Sequence, residues 1–165
     1  MRICEAIKRM IESPVNSAYD INHMLMVHAF ASSIGKLEGL DEHKQYVLEL
    51  AAVLHDISCP YLREKYGSAA GDRQELESEK YLEDFFSNTD VDDETVNRVI
   101  FLVTHHHTYD GIEDPDYQIL VEADFLVVAQ EKKLIEEIIR NTKDQIFKTE
   151  TGKKFLMNIL LRGAI

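Results

Sequence analysis

The stretch Ala51-Ala52-Val53-Leu54-His55-Asp56 constrains this chain more than any other. An apolar run ends in a His-Asp pair, two side chains that hold divalent cations. Val47, Leu48, Ala51 and Leu54 recur at helical spacing, and His55 extends that stripe four residues after Ala51. Ile57-Ser58-Cys59-Pro60 follows, and a proline disfavours helix in the residue before it. His55 and Asp56 therefore fall in a last helical turn. There the backbone leaves regular geometry, so neighbours about 100° apart on an ideal helix can converge on one ion. Taken alone, the pair is also compatible with a hydrogen-bonded core histidine beside a loop carboxylate, and the rest of the chain has to decide.

A length of 165 residues suits one domain, 1–165, with a core large enough to fold alone. Hydrophobic residues make up 45% and charged residues 29%, an ordinary globular balance. Eighteen Lys and Arg against 30 Asp and Glu give a net charge of −12, which repels nucleic-acid polymers and anionic membranes. A small anionic ligand is still admissible where a metal or local donors offset the charge. Cys4 and Cys59 are far apart and form no CxxC pair, which argues against a thiolate zinc site and a disulfide scaffold. A reducing cytoplasm is the expected location. The N-terminus turns polar within five residues, unlike a signal peptide, and no apolar run approaches the roughly 20 residues of a membrane span.

The periodicity predicts helix after helix and no sustained strand alternation, so the expected fold class is all-α. Ile3, Ile7, Met10 and Ile11 mark a short first helix. Asp20 is the expected N-cap of a second, through Leu37, with Met24, Val27, Ala31 and Ile34 apolar. His23 and His28 both lie four residues from that face and compete as its inward histidine. The helix of His55 follows an Asp41 cap. Residues 60–66 give one or two turns carrying Arg63 and Lys65. Gly67-Ser68-Ala69-Ala70-Gly71 is small enough for its amides to approach an anion, with a helix over 73–87 starting just after it. A helix capped by Asp92 or Asp93 ends in His105-His106-His107, where His106 best extends the apolar face of Leu102 and Val103. Asp124 sits mid-stripe among Tyr117, Leu120, Val121, Val127 and Val128, a costly place for a carboxylate unless it is paired or metal-bound. Amphipathic stretches 131–141 and 151–161 complete the chain as packing helices, and the last is a candidate homodimer surface.

Two imidazoles and two carboxylates on apolar helical faces suit a divalent ion such as Mn, Fe, Ni, Zn or Mg. The order His…His-Asp…Asp, at His55-Asp56 and Asp124, resembles the HD superfamily of metal-dependent phosphohydrolases, over about residues 20–130. In that family the first His is followed by Val four and Ala eight residues later. Here those are His23, Val27 and Ala31, which selects His23 over His28. The segment Lys65-Tyr66-Gly67-Ser68-Ala69-Ala70-Gly71, with Gln74-Glu75 after it, is similar to a subgroup of small HD proteins of unassigned substrate. Ser58 stands where many members have Gly.

The resemblance implies an HD-type helical bundle and one divalent metal ion held by His23, His55, Asp56 and Asp124. Two-metal relatives draw a further histidine from the helices after the His-Asp pair, and here none occurs between Asp56 and His105. It also implies hydrolysis of a small phosphoester, with a nucleotide the leading class. Asp56, or an outer-sphere carboxylate, helps deprotonate a metal-bound water. His106 stabilises the phosphoryl charge or protonates the leaving oxygen, with Lys65 and Arg73 as further cations. Gly67, Ser68 and His107 complete the expected substrate side. The alternative is a non-catalytic metal- or ligand-binding module of the same fold.

Overall fold

The computed structural model describes residues 1–69 and 71–161. Ala70 of the small-residue loop, the side chain of Asp72 and residues 162–165 lie outside the described set. Nine α-helices supply all the regular structure of the described residues, and no strand occurs among them: α1 (Ile3–Ile11), α2 (Ala18–Glu38), α3 (Glu42–Leu54), α4 (Cys59–Tyr66), α5 (Gly71–Phe86), α6 (Asp93–His105), α7 (Pro115–Glu131), α8 (Glu136–Ile146) and α9 (Glu150–Leu160).

Helix α7 is central. It is buried continuously from Asp116 to Val127, and a helix that is apolar on every side has to be enclosed by others. Helix α2 packs along both α7 and α3, and α3 packs on α6 and α7. One hydrophobic core runs from Ala6 to Leu161 through Val27, Leu50, Leu102, Leu120 and Phe147. No described helix is long and apolar enough to cross a membrane.

Polar side chains fix the ends. Asp41, Asp92 and Thr149 accept from the first-turn amides of α3, α6 and α9. The start of α2 corrects the sequence reading: Ser17 is the N-cap, and Asp20 sits three residues in as the return partner of a capping box. Periodicity locates the apolar face of a helix but not the residue that caps it. A second correction concerns the stretch 131–141. Helix α7 continues to Glu131, Lys132 closes it, Lys133 takes a left-handed φ of 49°, and α8 begins only at Glu136. Ile135 and Ile138 are consequently 60% and 44% exposed, while Ile139 is buried in the core and Leu134 packs against it.

Glu122, on α7, is fully buried and serves as an anchor for the C-terminal part. Its carboxylate accepts from the amides of Lys148 and Thr149 at 2.7 and 2.9 Å, from the Thr149 hydroxyl and from the Gln118 amide. Gln118 also donates to the Ile146 carbonyl at 2.7 Å.

Candidate metal centre

Four elements deliver titratable groups to one point. His23 comes from α2, His55 and Asp56 from the C-terminal turn of α3, His106 from the end of α6 and Asp124 from the middle of α7. His55 caps α3 with helical dihedrals, so its ring continues the buried stripe and is fully enclosed. His23 and Asp124 are 5% and 7% exposed. His23 Nε2 lies 3.0 Å from His55 Nε2, 3.4 Å from Asp56 Oδ2 and 3.4 Å from Asp124 Oδ1. His55 Nε2 lies 3.6 Å from Asp124 Oδ1 and 3.8 Å from Asp56 Oδ1. His28 is elsewhere, with Nε2 at 2.9 Å from Glu49 Oε2.

The donor set fits a divalent cation. His55 Nδ1 donates to the Ala52 carbonyl at 2.9 Å, and His23 Nδ1 faces Glu131 Oε2 at 3.1 Å. Carbonyls and carboxylates only accept, so each Nδ1 carries the hydrogen and each Nε2 of the neutral ring presents a lone pair. Two lone pairs 3.0 Å apart and flanked by carboxylate oxygens repel unless a cation or a proton lies among them. Ligands about 2.1 Å from an ion stand roughly 3.0–3.5 Å from their neighbours, close to the separations found here. His106 extends the set. Its Nδ1 donates to the Val103 carbonyl at 2.6 Å, and its buried Nε2, 3.8 Å from Asp56 Oδ1, has no hydrogen-bond partner. Among the described residues, three overlapping trios bring ligand atoms within 4.8 Å of one another: His23-His55-Asp124, His55-Asp56-His106 and His106-His107-Asp124.

The charges balance internally when protons fill the place of a metal. Burial works against ionisation of Asp124, but hydrogen bonds from His23 and His55 outweigh it and hold the carboxyl well below the usual range. Asp56 is lowered too, against its burial, chiefly by His55. Burial likewise disfavours a charged His23, yet the bond to Asp124 and the charges of Asp56, Asp124 and Glu131 raise it to about 9. His106 goes the other way. Burial, with His107 and His55 nearby, lowers it to about 4, so at neutral pH it offers a lone pair rather than a proton.

A cleft of about 250 Å³ opens over these atoms, lined also by Tyr19, Cys59, Arg63, Gln74, His107 and Lys132. Cavities of about 310 Å³ elsewhere, one of them between Met10, Tyr61, Tyr81 and Phe85, hold none of the ligand side chains. Of the residues expected on the substrate side, His107 lines the cleft and hydrogen-bonds Gln74 at 3.2 Å. Four others are not among its lining. Lys65 pairs with Glu77 at 3.3 Å, Arg73 lies over the Tyr66 ring, Gly67 is the left-handed C-cap of α4 with φ 77°, and Ser68 is exposed. The cations that do line it are Arg63, bonded to buried Asp20, and Lys132. His105 turns away and stacks on Phe101 at 4.4 Å.

Gln74 and Glu131 are the members that pattern reading missed. Gln74 enters the sequence reading only through the subgroup resemblance, with no role given; it lies in the polar run Asp72-Arg73-Gln74-Glu75, yet it is 2% exposed. Glu131 stands seven residues after Asp124, two turns along the same face, and that spacing was the available signal.

This architecture and donor set define an all-α protein built around a buried cluster of metal-ligand side chains. The profile of the HD domain matches residues 20–144, and the chain belongs to the HD domain family. No curated protein matches it. Among solved structures it is similar to a "predicted HD superfamily hydrolase" from an uncultured Thermotogales bacterium, with a TM-score of 0.64 and 23% identity over 95% of this chain and 82% of that one. At that identity the likeness is one of fold.

Proposed function

We propose that this chain is a metal-dependent phosphohydrolase acting on a small phosphoester, with a nucleotide as the leading class. The observation that carries the reading is the convergence of two imidazole lone pairs, from His23 and His55, with carboxylate oxygens of Asp56 and Asp124 beneath an open cleft. These four are the proposed ligands. A divalent ion held there would lower the pKa of a bound water and polarise a phosphoryl oxygen. Asp56, with its side chain 25% exposed to the cleft, is positioned to take the proton of the attacking water. Gln74 holds that carboxylate in place by donating to Oδ1. Arg63 and Lys132, at the cleft wall, are the cations available to a phosphate. His106, neutral and with only Nε2 to offer, serves as an acceptor or an additional ligand.

The test is a panel of phosphomonoesters, including nucleoside monophosphates, assayed with Mn²⁺, Ni²⁺ and Co²⁺ on protein purified without a histidine tag. Metal-dependent release of phosphate is the expected result. Stoichiometric metal binding with no turnover on any ester would instead identify a binding or sensing module.

A further inference from the structure

We infer that Glu131 is a positioning residue for the metal centre, the carboxylate that fixes His23 as a ligand, with Tyr19 fixing Glu131 in turn. Glu131 Oε2 faces His23 Nδ1 at 3.1 Å and accepts from the Tyr19 hydroxyl at 2.6 Å. The Tyr19 and His23 rings stack at 6.3 Å with 21° between their planes, and both side chains meet the same Glu131 oxygen. The placement follows from two helices. Tyr19 and His23 stand four residues apart on α2, and Asp124 and Glu131 seven apart on α7, so each helix presents one ligand and one supporting group to the other.

Nothing in helix energetics calls for an acid at this position. Glu131 is the last residue of α7, where the exposed carbonyls of a helix end disfavour negative charge. Its side chain is 19% exposed, partly withdrawn from water against an imidazole. An imidazole whose Nδ1–H is held by a carboxylate has one tautomer, one ring orientation and a more basic Nε2. Removing such a partner from a ligating histidine weakens metal binding by about 10–100-fold. His55 reaches the same tautomer through the Ala52 carbonyl, a neutral acceptor, so the two histidines of the cluster are tuned differently. The inference rests on His23 being a ligand and does not require turnover.

The experiment titrates Mn²⁺ into chelator-stripped full-length protein by calorimetry, for wild type, Glu131→Ala, Glu131→Gln, Tyr19→Phe and His23→Ala. Thermal unfolding of each metal-free protein is recorded beside it. The expected result is about a tenfold or greater loss of Mn²⁺ affinity in Glu131→Ala. A smaller loss is expected in Glu131→Gln, whose amide oxygen still accepts from Nδ1, and the smallest in Tyr19→Phe. Wild-type affinity in Glu131→Ala, with or without a drop in metal-free unfolding temperature, overturns the inference and leaves Glu131 a tie between α2 and α7. Wild-type affinity in His23→Ala removes its premise. Absence of hydrolysis on every ester counts only against the phosphohydrolase reading, because the affinities are measured without substrate.

Discussion

Gln74 donates to the Asp56 carboxylate at 2.5 Å and to the His55 carbonyl at 3.2 Å, while its oxygen lies 3.2 Å from His107 Nε2. One buried amide on α5 thereby fixes both halves of the His-Asp pair and the first residue beyond α6's His106 cap. Gln74→Leu would leave the Asp56 carboxylate without that donor. Loss of a buried partner costs about 1–3 kcal/mol, so metal-free unfolding should shift by that amount and phosphoester turnover should fall. Unchanged unfolding and unchanged turnover would show that Asp56 is held by its other neighbours.

Asp124 is the carboxylate shared between His23 and His55. Asp124→Asn keeps the shape and removes the charge. The metal-free variant should be less stable than wild type near pH 6, since the imidazolium on His23 loses its counter-charge. Metal should then restore little: wild type gains about 2.7 kcal/mol at a hundredfold excess over the dissociation constant, and the variant much less. Thermal unfolding of both proteins, chelated and Mn²⁺-replete, gives the comparison.

His23 sets the pH dependence. With burial outweighed by Asp124 and the neighbouring acids, its folded value of about 9 lies above the ordinary 6.5. A raised value means that the proton stabilises the metal-free fold. That contribution is complete below pH 6.5 and is lost as pH rises through 9. Metal competes for the same lone pair, so Mn²⁺ should bind more tightly as pH climbs towards 9 and release protons on binding. Calorimetry at pH 7 in buffers of different ionisation enthalpy measures the protons released.

His106 bears on the ion count. We expect about one ion per chain, on His23, His55, Asp56 and Asp124, with the His106 lone pair as a fifth donor. Anomalous scattering from Mn²⁺-soaked crystals locates it. Two stoichiometric ions about 3.5–4 Å apart would assign His106 and His107 to a second position.

Among the cations, Arg63→Ala should weaken inorganic phosphate binding to the metal-loaded protein several-fold. Lys65→Ala should leave it unchanged, because Lys65 pairs with Glu77 and does not line the cleft. Equal effects in the two variants would place the anion elsewhere.

Much of this is legible in the sequence. The all-α class followed from repeated helical spacing, and the packing of His55 followed from a stripe that runs into Pro60. Asp124 stood out as a single carboxylate among apolar neighbours on both sides. What escaped was set by packing between distant segments. Gln74 looks solvated in sequence, and it is buried because the turn after α6 folds His107 over it. The direction of a long cationic side chain has no periodic signature, so Lys65 and Arg73 could not be told from Arg63 and Lys132 by pattern. The break at Lys133 arises from a backbone conformation that no residue type there announces.

The buried Glu122 gives the C-terminal end a part in the centre that its sequence does not suggest. The family match stops at residue 144, yet three of the donors to this carboxylate, the amides of Lys148 and Thr149 and the Thr149 hydroxyl, lie beyond it. A chain trimmed to the family boundary would strip these donors from a fully buried side chain two residues from Asp124. The segment after α8, with α9, is thus the plug of the bundle, and a shortened chain should lose its grip on metal without losing a single proposed ligand.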